Sequence, residues 1–222
     1  MIETHQTAID RATDSTTFDA WVDGSPYRSA SGERIETVDP AVNLVITTVP
    51  DCDDRDVNEV VGTAWDAYRS EWAETTPKER ALALYRWSET LRDHLEELTT
   101  LECLDTGKPI THARGEVEGA IETLEYYASI GGGQEGIQLP ATADLHAYTK
   151  KEPYGVVGQI TPWNFPIWAA AWKLGPALAA GNAVVLKPSI MSPLTTVRMA
   201  QLSQEFFPDG VINVLTGQGS KV

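Results

Sequence analysis

The chain has 222 residues, with 17 Lys plus Arg against 32 Asp plus Glu, a formal net charge of −15 at pH 7, and 42% hydrophobic residues. Such a composition fits one large or two small folded domains and excludes a disordered chain, a collagen-like repeat and a disulfide scaffold. An acidic balance of this size also excludes a nucleic-acid partner, because contact with phosphates needs a basic face.

The charge is uneven: residues 1–149 hold 29 acidic and 11 basic side chains, and 150–222 hold 3 and 6. The first stretch is therefore expected to be mostly surface helix and loop, and the second mostly buried. Excess acid with 10 Arg over 7 Lys fits either a plain acidic protein or one from a salt-rich, halophilic cytoplasm where screening weakens self-repulsion. Cys52 and Cys103 lie 51 positions apart with no CxxC and no Cys/His cluster, which argues against a metal site and for a reducing compartment. No apolar stretch follows a basic start at the N-terminus, so a secretory signal is not expected. The longest weakly polar run, 167–180, has 14 residues and contains Lys173, too short for a bilayer. The expected location is cytoplasmic, with no membrane partner.

Residues 1–20 are polar and patternless and read as a loosely held terminus. Residues 20–50 carry short β-like runs punctuated by Asp23-Gly24, Ser31-Gly32 and Asp39-Pro40. Helical spacing of Val57, Val60, Val61, Ala64, Ala67 and Tyr68 predicts a helix over 55–73. Thr76-Pro77-Lys78-Glu79 combines a capping box with proline at the first helical position, opening a second helix expected to run through Leu82, Leu91 and Leu101 to Gly107. A third is expected over 113–130, stopped by Gly131-Gly132-Gly133, and residues 136–151 read as a hairpin.

From Gly155 the pattern becomes β-α-β-α-β. Apolar runs at 156–160, 183–186 and 211–215 alternate with helices over 167–180 and from Ser192 or Thr195 to Phe206. Apolar strands of this kind predict a parallel, doubly wound α/β sheet covered on both faces. Ligands bind such sheets beyond the carboxyl ends of the strands. Two loops qualify: Thr161-Pro162-Trp163-Asn164-Phe165-Pro166, stiffened by its prolines, and Lys187-Pro188-Ser189, whose lysine can reach a ribose hydroxyl or a phosphate. The bland alternatives are a turn-forming Asn164 and a snorkelling Lys187. Gly217-Gln218-Gly219 follows a strand, but it does not complete a GxGxxG phosphate fingerprint ahead of a helix.

The block 153–166, with Ala170-Ala171-Trp172-Lys173-Leu174-Gly175-Pro176 and Val184-Val185-Leu186-Lys187-Pro188-Ser189, resembles the NAD(P)-dependent aldehyde dehydrogenase superfamily. Leu104-Asp105-Thr106-Gly107-Lys108-Pro109, Tyr126-Tyr127 and Val38-Asp39-Pro40 resemble the N-terminal half of that family, so the likeness covers about 20–222. The Ala-Ala-Trp-Lys stretch is nearest the aliphatic and betaine-aldehyde branches.

The resemblance implies oxidation of an aldehyde to a carboxylic acid, with NAD or NADP as hydride acceptor. It makes Asn164 the side-chain donor to the developing oxyanion. Ile160, Thr161, Pro162 and Trp163 would line the coenzyme. Lys187, with Ser189, would hold the adenosine ribose, and Phe165 and Trp172 would face the aldehyde entry. Residues 134–153 match an arm that pairs subunits. The implied division is therefore 1–133 and 154–222 as parts of a coenzyme-binding domain around the arm at 134–153, in a homo-oligomer. Many members carry Glu three positions after the lysine; here Ile190 stands there, which removes a repulsion against a 2′-phosphate and leaves NAD and NADP both open.

The family's GxxxxG loop, water-activating Glu and nucleophilic Cys fall beyond Val222. Cys52 lies among acids that suppress its thiolate, and Cys103 reads as a packing residue. The chain is thus expected to be an N-terminal half that is inactive alone. The alternatives are completion by a second, C-terminal half chain, or a non-enzymatic nucleotide-binding or interaction module. An end after the third parallel strand is also expected to leave an aggregation-prone sheet edge.

Overall fold

Alternation along the parallel strands determines what lies on each side of the central sheet. In the computed structural model, which describes residues 2–14, 16–133 and 135–222, β7 (Val156–Ile160), β8 (Ala183–Lys187) and β9 (Ile212–Val214) run parallel with β8 in the middle. Val184 and Leu186 point to a large core shared with α6 (Pro166–Ala179) and α7 (Leu194–Gln201). Ala183 and Val185 point the other way, against Val60 and Ala64 of α2 (Asp54–Ser70). The period of two in a strand thus gives β8 a helical layer on each face.

The sheet order is β2-β1-β9-β8-β7. β1 (Ala20–Val22) and β2 (Ser25–Tyr27) form a hairpin laid antiparallel against β9, with Trp21 opposite Val214. The third parallel strand is therefore covered, and the open edge beside the parallel strands is β7. The expectation of parallel strands covered on both faces holds for β8 and β9 and is corrected only for β7, where Gly158 and Ile160 are exposed. β3 (Arg34–Asp39) and β4 (Leu44–Pro50) form a separate antiparallel pair. The predicted hairpin appears as β5 (Gln138–Leu139) and β6 (Ala147–Tyr148), within an exposed segment.

Three helical expectations need correction. The terminus is not loosely held, because α1 (Ile2–Thr13) packs against α4 (Leu95–Thr106) through buried Ile9 and Ala12. His5 Nδ1 also lies 2.5 Å from Asp39 Oδ2. Met1 and Ser15, part of the same expectation, lie outside the described residues. The Thr76–Glu79 capping box is present and opens α3 (Pro77–Asp93), but the helix breaks at His94. α3 packs on α5 (Ile110–Ile130) and α6, whereas α4 packs on α5, α7 and α1, which one straight rod would not do. α7 stops at Gln201 and its cap is neither Ser192 nor Thr195; the Leu194 amide donates instead to Asp105 Oδ2 at 2.8 Å, from α4. Gly107 closes α4 at φ +72, and a Cβ there would lie 2.7 Å from Pro40, so the chain turns sharply into Lys108.

As expected, most residues of the acidic first stretch are exposed or half-buried, and the second stretch is far more buried, but the first also supplies core. Leu84, Trp87, Leu91, Leu98, Leu101 and Leu124 are fully buried in the main core, under helices whose outer faces carry the acids.

Candidate functional site

β7 and β8 finish level, with Ile160 opposite Lys187. The Thr161 amide donates to Lys187 O at 3.1 Å, and Ser192 Oγ donates to Trp163 O at 2.8 Å. The two predicted loops are therefore stitched together at one rim. Asn164 is exposed there, and its side-chain amide has no hydrogen-bond partner among the described residues. Ile160 and Trp163 are exposed too, as is Pro162; Thr161 is buried, and its hydroxyl has no partner among the described residues.

Lys187 is not a snorkelling surface lysine. It is half-buried, and Nζ donates to Pro188 O at 3.0 Å and Gly217 O at 3.1 Å; burial pulls its pKa down. The Gly217-Gln218-Gly219 turn thus stands at the rim as a partner of the lysine. Beside Lys187 an open, mainly apolar hollow of about 310 Å³ is lined by Val57, Val61, Ile160, Val185 and Val222. Ser189 is half-buried and its Oγ accepts from the Met191 amide, a turn-forming bond. Ile190 packs partly buried against the core.

Phe165, Trp168 and Trp172 form an aromatic row along the start of α6, with centroids 6.2 Å and 5.2 Å apart. Trp172 is 51% exposed, which excludes plain core packing. Trp168, missed in the sequence, lies over Gly119 of α5, where a Cβ would stand 2.8 Å from its ring, and its indole donates to Thr123 Oγ1 at 3.1 Å.

A buried charge cluster underlies the loop. Lys108 Nζ donates to Asn164 O at 3.1 Å, to Glu102 Oε1 at 3.3 Å and to Glu116, and lies 5.6 Å from the Phe165 ring centroid. Glu102 is fully buried, and Thr195 Oγ1 donates to its other oxygen at 2.6 Å. Burial pushes the Glu102 carboxyl up to about 7 and raises Asp105 well above the carboxylate range. One sequence signal pointed here: Leu98, Glu102 and Asp105 share a helical face, so two acids occupy positions on a buried stripe.

Because the folded state holds the Glu102 proton more tightly than the unfolded chain, Glu102 weakens the fold as pH rises from about 4.5 to about 7. Glu102→Gln removes that penalty. Its unfolding free energy in urea, relative to the unsubstituted chain, is expected to rise between pH 5 and pH 8 by an amount on the order of 1–3 kcal/mol. A pH-independent difference would contradict the assignment.

The Cys52 thiol is fully buried and pushed up to about 12 by burial and by Asp56, Asp51 and Asp53. Half-buried Cys103 donates Sγ to Lys108 O at 3.1 Å, and burial raises its thiol as well. Neither is suited to act as a nucleophile. Among the described residues no cluster of His, Cys, Asp or Glu is arranged to hold a metal ion, and no helix is long and apolar enough to cross a membrane.

A family model described as "Aldehyde dehydrogenase family" matches residues 27–222. Among solved structures, the chain is 33% identical to betaine aldehyde dehydrogenase from Staphylococcus aureus in complex with NAD+, with a TM-score of 0.93, covering 98% of this chain and 44% of that one. It is 42% identical to gamma-glutamyl-gamma-aminobutyraldehyde dehydrogenase from Burkholderia cenocepacia, with a TM-score of 0.91 and coverage of 97% and 44%. It is 37% identical to the indole-3-acetaldehyde dehydrogenase of P. syringae, solved with NAD+, with a TM-score of 0.92 and coverage of 98% and 45%. The chain spans a little under half the length of these relatives.

Proposed function

Since the chain belongs to the aldehyde dehydrogenase family, we infer that its rim orients an aldehyde and a nicotinamide coenzyme for oxidation of the aldehyde to a carboxylic acid. The observation that carries this reading is the exposed, unpartnered Asn164 amide held on the same rim as Lys187 by the Thr161–Lys187 bond. An amide N–H fixed in that position is a donor to the carbonyl oxygen as it gains negative charge.

Ile160, Thr161, Pro162 and Trp163 are assigned to the coenzyme face, and Lys187, with its apolar hollow, to the adenosine end; Ser189 shapes that corner through its turn. When bound, the coenzyme supplies the hydride acceptor. NAD and NADP both fit, because Ile190 offers no carboxylate to repel a 2′-phosphate. Phe165 and Trp172, joined by Trp168, form the aldehyde approach.

Neither cysteine of this chain is suited to attack the carbonyl, so other residues supply the nucleophile. The open edge of β7 favours a further strand pairing there, from a longer form or a complementing chain. Residues 1–133 and 154–222 are read as parts of one coenzyme-binding unit. The exposed apolar side chains Ile137, Leu139, Leu145 and Tyr148 support 134–153 as a subunit-pairing arm of a homo-oligomer.

The 222-residue chain alone is expected to reduce neither NAD+ nor NADP+ when offered aldehydes, whereas a form that also carries a nucleophilic cysteine reduces at least one of them, monitored at 340 nm. Absence of aldehyde-dependent reduction in that form would overturn the reading.

A further inference from the structure

Lys108 occupies a position that the chemistry of the rim does not explain. It follows the sharp turn at Gly107, and its ammonium lies under the functional loop, not on it. Three elements converge on that one nitrogen: Glu102 from α4, Glu116 from α5, and the backbone carbonyl of Asn164 from the loop after β7. The Phe165 ring covers it at 5.6 Å. Its side chain is only 13% exposed, and those of Glu102 and Glu116 are 0% and 11% exposed.

We propose that Lys108 is a positioning residue for Asn164: anchored by Glu102 and Glu116, its ammonium grips the Asn164 carbonyl and sets the angle at which the Asn164 amide is presented at the rim.

The physical case rests on what else holds that peptide. Around it, the Trp163 carbonyl is held by Ser192 and the Thr161 amide by Lys187 O, and the Phe165 carbonyl accepts from the Ala169 amide as α6 begins. The Asn164 carbonyl is bonded to Lys108, and the side-chain amide to nothing described. If the Lys108 bond is lost, the 164–165 peptide can rotate while the flanking anchors stay closed, and the amide swings with it. A neutral donor would hold the carbonyl less firmly, since hydrogen bonds from an ionised donor are shorter and stronger. The two carboxylates restrain the ammonium on its other side. The titratable groups on it are Glu102 from α4 and Glu116 from α5; Asp105 of α4 acts on Glu102 and bonds the Leu194 amide, Thr195 of α7 bonds Glu102, and the Cys103 thiol bonds the Lys108 carbonyl.

This inference rests on the reading of Asn164 as the oxyanion donor, yet it can be tested without turnover. In the ¹⁵N-labelled 222-residue chain, the Asn164 side-chain amide and the Phe165 backbone amide are followed by NMR from pH 5 to pH 9. In the unsubstituted chain both resonances are expected to be sharp and to shift together as Glu102, pushed up to about 7, titrates. In Lys108→Met the shared inflection disappears, and the NMR order parameter of the Phe165 amide falls from about 0.85 to below about 0.6, as for a peptide free to rotate. Lys108→Arg, which keeps a charged donor, restores both.

Throughout, the amides of Ala120 and Ala170, in the α5–α6 packing, keep order parameters of about 0.85. The proposal is overturned if Lys108→Met keeps the inflection and the Phe165 order parameter. It is equally overturned if the order parameters of Ala120 and Ala170 fall as far, which would make Lys108 a support of the fold. If Lys108→Met does not fold, Glu116→Gln, which weakens one anchor, is expected to displace the inflection and lower the Phe165 order parameter; no change at Phe165 overturns the proposal. Titration of the same labelled chain with NAD+ and with NADP+ tests the underlying reading separately, because it reports shifts at 160–164 and 187 whatever Lys108 does.

Discussion

In an active enzyme containing this chain, Asn164→Ala is expected to lower kcat by about 10²–10³-fold, equivalent to roughly 3–4 kcal/mol of transition-state stabilisation. The substitution removes the amide donor and little else. The Asn164 backbone carbonyl keeps its bond from Lys108, the Thr161–Lys187 bond joins main-chain atoms, and Pro166 still opens α6. Coenzyme affinity should therefore stay within about two-fold, because Lys187 and the 160–163 segment are untouched. Asn164→Asp should be at least as damaging, since it aims a negative charge at an oxygen that is becoming negative. Steady-state kinetics with coenzyme titration measures both quantities. A fall in kcat of less than about five-fold would remove Asn164 from the chemistry.

The largest stability effect is expected at Trp87. Its side chain is fully buried on α3, the indole donates to Met199 O at 3.1 Å, and the ring meets Phe207 edge-on at 5.5 Å. Trp87→Ala opens a cavity where α3, α7 and the chain beyond α7 meet, and it leaves a buried carbonyl without its donor. The expected cost is about 3–5 kcal/mol. For a domain of this size that lowers the melting temperature by roughly 10 °C. Tyr85, two residues earlier on the same helix, is 51% exposed, and Tyr85→Ala should change stability by only about 0.5 kcal/mol. Urea unfolding of both variants makes the comparison; equal losses would mean that the core around Trp87 is not packed as described.

Much of the site was legible because its signals are local. The capping box at Thr76–Glu79, the β-α-β-α-β rhythm from Val156 onward and the prolines around Trp163-Asn164 each depend on neighbours within a few residues, so sequence spacing reports them directly. The rule that ligands collect at strand carboxyl ends then selects Asn164 and Lys187, and parallel register places them on one rim. The errors arose where the decisive partner was distant in sequence. The break at His94 reflects packing of α3 and α4 against different helices, and the cap of α7 comes from Asp105, 89 residues away. The N-terminal helix has weak local cues and gains its order from α4 and from Asp39.

By itself the sequence determined the α/β class, the order of the parallel unit and the two loops that carry the rim, because hydrophobic period and turn chemistry act over short range. Only the tertiary structure decided which strand edge stays open, since Trp21 must cross the chain to cover β9. The same holds for the ammonium beneath Asn164: burying Glu102 and Glu116 beside Lys108 depends on α4, α5 and the loop meeting, and no spacing along the chain encodes that meeting.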